Sequence, residues 1–302
     1  MVRDADYSWI LLSIPLYFVG VWLRALRWQH LLTPVKALSA GKLFPYTVLG
    51  FMANNVLPLR VGELVRAYLL GEKESIRKSA ILATILIERV LDALTLLLFA
   101  VVISLFVPLP DWLRTVVTMA GLVFLGVLVL SLAASLLPGA ALATTDLLTR
   151  PLPGSLRARV RNLVQPFLEG LASLRQGRVL GKISLLSLGV WLVECGVFIL
   201  VGFGFRMTVS PHAYLLAMSA ANLGISVPSS SGGIGPFEFL AAQTLTSLFM
   251  QDPSRATAYA LVVHVTLLVP VTLLGFFYLW REHLSLRAIS YRQREELGEV
   301  LS

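Results

Sequence analysis

The sequence predicts an all-α, polytopic bundle of transmembrane helices, and three observations predict it. Ala, Val, Ile, Leu, Met, Phe, Trp, Tyr and Cys supply 57% of the 302 residues, while charged residues supply 14%, roughly half the ~25% of soluble domains. Mean hydropathy is +0.79, more apolar surface than a globule of this length can hide. The apolar residues are gathered into long runs, and ~20 of them in a helix cross the hydrocarbon core. Disorder is excluded by the hydrophobicity. A disulfide framework is excluded because Cys195 is the only cysteine. The net charge of +8 would suggest nucleic acid in a soluble protein. Here the arginines fall between apolar runs, the pattern of the positive-inside rule and of anionic lipid contact, so no nucleic-acid partner is expected.

Residues 9–23 form the first apolar run, short for a span unless Arg24 and Arg27 snorkel. The segment before it has one arginine and two aspartates and no small-residue cleavage site. The first run is therefore expected to stay in the mature protein. Residues 43–70 are apolar but interrupted by Asn54, Asn55, Pro58, Arg60, Gly62 and Glu63. Residues 81–107 and 113–137 are long enough to cross. In residues 141–182, Leu156, Val160, Leu163, Val164, Phe167, Leu168, Leu171 and Leu174 recur at helical spacing with arginines between them. This reads either as an amphipathic helix on the membrane surface, bent at Pro166, or as a linker helix packed on the bundle. Residues 183–205 and 258–280 are further spans. Between them residues 213–250 are interrupted by Pro228, three serines, Gly232, Gly233, Gly235, Pro236 and Glu238. Breaks at membrane depth free backbone groups that lipid cannot satisfy, so they should face protein or a water-filled cavity.

Loop charges give an orientation. Residues 141–182 carry Arg150, Arg157, Arg159, Arg161, Arg175, Arg178 and Lys182 against Asp146 and Glu169, which puts this loop in the cytoplasm. Arg281, Arg287, Arg292 and Arg294 put the C-terminal tail there too. Arg24, Arg27, Lys36 and Lys42 argue for a cytoplasmic first loop, and Arg66, Lys73, Arg77 and Lys78 for the loop after the first broken run. Both flanks of residues 43–70 are then on one side. On one reading each broken run is a re-entrant pair of half-helices, and two sets of three elements have opposite orientation, an inverted repeat. On the other, the broken runs cross as ordinary helices. The whole chain, 1–302, is expected to form one domain: a first half with a linking span (7–140), a basic cytoplasmic loop (141–182), a second half (183–280) and a tail (281–302).

Ionisable side chains at membrane depth are costly, ~2.5–3.5 kcal/mol each on insertion scales, and need a reason. The candidates are Arg60, Glu63 and Arg66; Glu88, Arg89 and Asp92; Glu194; and Glu238. Each broken run places a carboxylate in the first turn of a short helix. Helix N-termini and glycine nests bind phosphate, so Arg60, Arg66 and Gly232, Gly233 and Gly235 could floor a phosphate site. Alternatively Glu63 and Glu238 cap their own helices. Glu88 and Asp92 share a helix face with Arg89 close by, as a polar relay or an ion pair between helices. Glu194 has no charged neighbour in its own run, so its partner must come from another helix. His30, His212, His264 and His283 lack metal-ligand spacing, and no metal or cofactor is expected. No P-loop, Gly-x-Ser-x-Gly or His-Glu-x-x-His run occurs, so the chain is not expected to be an enzyme.

The run Asn54-Asn55-Val56-Leu57-Pro58-Leu59-Arg60-Val61-Gly62-Glu63-Leu64-Val65-Arg66 resembles a signature of the lysylphosphatidylglycerol synthase transmembrane, or flippase-like, family. Glu88-Arg89-Val90-Leu91-Asp92 is similar to that family's second element, and Pro228 with Gly232-Gly233-Ile234-Gly235-Pro236-Phe237-Glu238 to its third. Ser231 stands where the third element usually has a proline. Arg27-Trp28 is a weaker match to the family's start. The resemblance implies a multi-pass protein of the cytoplasmic membrane that moves lipids between leaflets, with Asn55 among the site residues. Lysyl transfer is not implied, since the transferase domain of multidomain relatives has no counterpart here. The expected partners are membrane lipids with an anionic headgroup, and either a second copy of the chain or a lipid-modifying transferase. Two other functions fit the same residues: a non-transporting accessory subunit of a glycosyl- or aminoacyl-transferase, and a small-solute or ion transporter.

Overall fold

The computed structural model describes residues 5–57, 61–225 and 231–281. These form eleven α-helices and no strand. In chain order they are α1 (Tyr7–Leu32), α2 (Ala40–Val56), α3 (Gly62–Glu74), α4 (Lys78–Ser104), α5 (Asp111–Leu136), α6 (Pro138–Leu148), α7 (Gly154–Gly170), α8 (Gly177–Gly204), α9 (Pro211–Gly224), α10 (Pro236–Phe249) and α11 (Pro253–Arg281). Four of them, α1, α5, α8 and α11, are long and apolar enough to cross a membrane. With 27 residues, α4 is as long, and Glu88, Arg89 and Asp92 set it apart from those four.

The two broken runs fold into pairs of short helices. With 17 and 13 residues, α2 and α3 extend about 26 and 20 Å at 1.5 Å per residue. The 14-residue α9 and α10 extend about 21 Å each. Each is shorter than the ~20 residues of a full crossing. Each break has a local cause. At Gly62 the α2–α3 hairpin closes so tightly that a Cβ would run into the Gly50 carbonyl oxygen and the Asn54 side chain. Before α10 the backbone turns through Gly232, Gly233 and Gly235 at φ of 67°, 75° and 98°, values that favour glycine. Pro236 then takes the first helical position.

α1 does not stop at Leu23. It continues through Arg24 and Arg27 to Leu32, and both guanidinium groups are buried instead of snorkelling. The expectation that they belong to a basic first loop is therefore corrected: they are interior ion-pair partners, Lys36 remains in the connection and Lys42 lies in the first turn of α2. α1 packs along α8 in antiparallel fashion. Leu16 faces Gly196, Gly20 faces Val193, Leu23 faces Gly189, and the Asp6 N–H donates to the Gly204 carbonyl at 2.8 Å. Around this central pair the contacts repeat. α2 packs on α11 as α9 packs on α4, and α3 packs on α4 as α10 packs on α11.

Outside the repeated core, α5 buries only Leu113, Ser131 and Ser135, and most of its side chains remain exposed. The end of α7 packs on α4, where Gly170 lies against the Ala80 carbonyl. Leu168, Leu171 and Leu174 join Trp28 and Leu31 in one buried cluster, while Leu156 and Leu163 near the other end of α7 are exposed. The packed-linker reading thus describes the C-terminal end of the helix.

Candidate functional site

The buried arginines organise the interior. Arg27 is 0% exposed. Its Nη1 donates to Asp92 Oδ1 at 2.6 Å and to Ser187 Oγ at 2.8 Å. Its Nη2 donates to Glu88 Oε1 and Asp92 Oδ2, both at 3.2 Å. One guanidinium thus ties α1 to α4 and α8. Trp191 Nε1 donates to Asp92 Oδ1 at 3.1 Å, and Arg89 Nη2 approaches Asp92 Oδ2 at 3.2 Å. Arg66 lies with its Cζ 3.5 Å from the Trp28 ring centroid. Its Nη2 is 2.8 Å from Glu88 Oε2, an ion contact without hydrogen-bond alignment. The partner of Glu194 is Arg24 of α1, 2.8 Å away, and Asn222 Nδ2 donates to the other carboxylate oxygen at 3.3 Å.

Asn54 holds the first break. Its Oδ1 accepts the Gly62 N–H at 2.7 Å and its Nδ2 donates to Glu63 Oε1 at 3.2 Å. Asn54 therefore caps the first turn of α3. At the second break Glu238 does cap its helix, since Oε2 accepts the Gly235 N–H at 2.7 Å. Its Oε1 lies 2.6 Å from His264 Nδ1 of α11, and His264 Nε2 lies 3.0 Å from the Gly232 carbonyl oxygen. Phe237 stacks on the imidazole with ring centroids 4.3 Å apart.

Where the two halves meet there is a cavity of about 120 Å³, room for several waters at the ~10–15 Å³ that one requires. Arg24, Arg89 and Glu194 line it with charge; Asn54, Asn55 and Asn222 line it with amides. Gly232 and His264 form another part of its wall, and Leu267, Leu268 and Val271 of α11 make it partly apolar. Asn55 is held by α11, its Nδ2 donating to Thr272 Oγ1 at 2.9 Å.

Of the residues picked out from sequence, Asn55, Arg89, Glu194 and Gly232 line this cavity. Glu63, Arg66, Glu88, Asp92, Gly233, Gly235 and Glu238 do not. Glu238 adjoins it through His264, and Arg66, Glu88 and Asp92 belong to the buried network behind it. Arg60 lies outside the described residues, as do Pro58 and Pro228. Sequence reasoning missed Arg24, Asn222 and His264 as site residues. Five carboxylates at depth (Glu63, Glu88, Asp92, Glu194 and Glu238) call for as many cations, and Arg60, Arg66 and Arg89 leave two to be found. Arg24 and Arg27, three apart at the end of an apolar run, were the available signal for two of them.

Helices of membrane-crossing length, a wide apolar exterior and charged groups gathered around an internal cavity define a multi-pass membrane protein with a polar site. The chain belongs to the lysylphosphatidylglycerol synthase TM region family, whose model matches residues 1–275. It is similar to the glycosyltransferase AglD of Haloferax volcanii, with 24% identity over 294 residues, covering 87% of this chain and 47% of that protein. The chain thus spans less than half the length of that relative. It is also similar to a UPF0104 membrane protein of Methanothermobacter thermautotrophicus, with 26% identity over 250 residues, 78% of this chain and 74% of that one. No solved structure matches.

Proposed function

We propose that the chain is a lipid flippase-like transporter, not an enzyme, that passes a phosphate-bearing headgroup between leaflets of the cytoplasmic membrane. The observation that carries this reading is the cavity: a polar site built by both halves at the two helix breaks, inside a bundle with an apolar exterior. A headgroup needs such a path, while its acyl chains stay in lipid. Among the described residues Arg24 and Arg89 are the cations that face the cavity, so they bind the phosphate, together with Asn55 and the Gly232 loop. Glu194 and Glu238 meet hydroxyl or cationic parts of the headgroup.

The two short pairs, α2–α3 and α9–α10, serve as re-entrant elements of an inverted repeat. The antiparallel α1 and α8 and the repeated helix contacts around them support this reading. Alternating access then follows from rocking one half against the other around the cavity. The basic connection through α7 faces the cytoplasm, as does the tail.

The relative named as a glycosyltransferase favours a second reading, in which this region serves a transferase by holding its lipid substrate without moving it. Purified protein in liposomes with fluorescent headgroup-labelled phosphatidylglycerol separates the two. Protein-dependent movement that falls with Glu194→Gln and Arg89→Gln supports transport. Movement unchanged by both substitutions removes the cavity, and no movement of any tested lipid favours the transferase reading.

A further inference from the structure

His264 is the one histidine inside a long apolar run, and its two ring nitrogens face two acceptors. The Gly232 carbonyl oxygen has only lone pairs, so Nε2, 3.0 Å away, must carry a hydrogen. Glu238 Oε1 lies 2.6 Å from Nδ1. A bare carboxylate oxygen and a bare ring nitrogen would repel at that distance, so one proton lies between them. It sits either on the imidazole, as an imidazolium beside a carboxylate, or on the carboxyl beside a neutral ring. Both forms hold one proton more than neutral histidine with ionised glutamate, and both leave the pair without net charge.

We infer that Glu238 and His264 form a proton-binding site that fastens the Gly232–Gly235 turn to α11 when occupied and releases it when the proton leaves. The fastening is geometric. Glu238 holds the turn through the Gly235 N–H at 2.7 Å, and His264 holds it through the Gly232 carbonyl. Loss of the proton sets the carboxylate against the Nδ1 lone pair, and one of these contacts must break. The turn has its open side at Gly235, where a Cβ would meet no described neighbour within 4 Å, whereas at Gly232 and Gly233 a Cβ would press on Leu268 and Ile225. Gly232 and His264 both line the central cavity, so the change reaches it directly.

The other charged or titratable groups that face this cavity are Tyr17 and Arg24 from α1, Arg89 from α4 and Glu194 from α8. Arg24 is paired with Glu194 and Arg89 with Asp92. α2 and α9 present the neutral amides Asn54, Asn55 and Asn222, and the cations of α11 itself, Arg255 and Arg281, lie at its ends. The pair therefore exchanges its proton without another free charge beside it among the described residues. A proton that opens and closes one wall of the cavity is a candidate coupling ion for headgroup movement. That role rests on the transport reading, while the proton site itself does not.

The test uses the full chain in nanodiscs, labelled with ¹⁵N-histidine and compared with His264→Gln for assignment. In a scan from about pH 6 to 9, the occupied site is expected to show a protonated Nε2 and an Nδ1 in a strong hydrogen bond, and the emptied site one proton fewer. Hydrogen exchange of the peptide covering the turn is expected to lose on the order of tenfold in protection over that range, after correction for the intrinsic rate. Glu238→Gln supplies a permanent donor to Nδ1 and an acceptor for the Gly235 N–H, so its protection should not change with pH. PH-independent protection in the unmodified chain, or a pH dependence that survives Glu238→Gln, overturns the proton site. Lipid movement measured in parallel separates the two readings. A pH-dependent turn without movement refutes transport alone, and movement with a pH-independent turn refutes the proton site alone.

Discussion

Arg27 in the first half makes four hydrogen bonds, to Glu88, Asp92 and Ser187. His264 in the second half makes two, to Glu238 and the Gly232 carbonyl. Both place a cation-forming side chain of a long helix against carboxylates inside the bundle, yet the chemistry differs. A guanidinium keeps its charge at any working pH, and Arg27 stands between three long helices with no exposure. An imidazole exchanges its proton near neutrality, and His264 holds a turn of glycines at positive φ. The first arrangement fixes helices, and the second can let go. The cavity lies between them, with Arg24 and Arg89 on the side of the first arrangement and Gly232 and His264 on the side of the second.

The largest expected effect is on the fixed side. Arg27→Met leaves Glu88 and Asp92 short of a buried cation, a loss of about 3–5 kcal/mol for a broken buried pair. It should appear as a lowered unfolding midpoint in detergent and a low yield of folded protein. If Arg27→Met unfolds like the unmodified chain, the network is not what holds α1, α4 and α8 together. Two glycine variants sharpen the contrast next. Gly62→Ala drives a Cβ into backbone and should cost about 1–3 kcal/mol with no simple relief. Gly235→Ala meets open space and pays only for its φ of 98°, so its loss should be confined to hydrogen exchange around the turn. Equal global losses from the two would contradict a rigid first break and a pliant second one.

Glu194→Gln is a smaller perturbation, since the amide keeps the size of the side chain and an acceptor for Asn222. Headgroup movement should fall on the order of tenfold, about 1.4 kcal/mol, with less loss of stability than Arg27→Met. The smallest effect is at the surface. Lys36 Nζ lies 2.9 Å from Glu74 Oε2, and its hydrogen bond holds the Glu74 carboxyl below its ordinary value. A depressed folded value means that the contribution is present above the unfolded carboxylate range and fades as pH falls through the lowered value. Lys36→Ala should therefore cost less than about 1 kcal/mol at neutral pH, and less still once Glu74 is protonated, when only the bond from Nζ to the Glu74 carbonyl oxygen at 2.7 Å is left to lose. Unfolding midpoints at neutral and strongly acidic pH check this.

The membrane class and the two broken runs were legible because apolar density and misplaced Pro, Gly and Asn are local signals. Glu194 was legible as a carboxylate in need of a distant partner. Arg24 and Arg27 were not, because an arginine at the end of an apolar run looks like a loop charge until the helix is seen to continue to Leu32. His264 was illegible for another reason. Its partner Glu238 is 26 residues away in another helix, and no spacing rule joins two side chains that meet only through the packing of α10 on α11. The network around Asp92 was half legible: Glu88, Arg89 and Asp92 share one helix, but Trp191 and Ser187 reach them from α8.

Transport through the bundle requires a headgroup to enter the cavity between the two halves. Phosphatidylglycerol carrying a photoreactive group on its headgroup, incorporated with the full chain in liposomes and illuminated, would mark that place by peptide mapping. Attachment is predicted on the peptides holding Asn54 and Asn55, Asn222 and Ile225, and His264, with loss of that labelling in Glu194→Gln. Attachment confined to the exposed faces of α5 and α7, unchanged by Glu194→Gln, would contradict a headgroup site between the two halves.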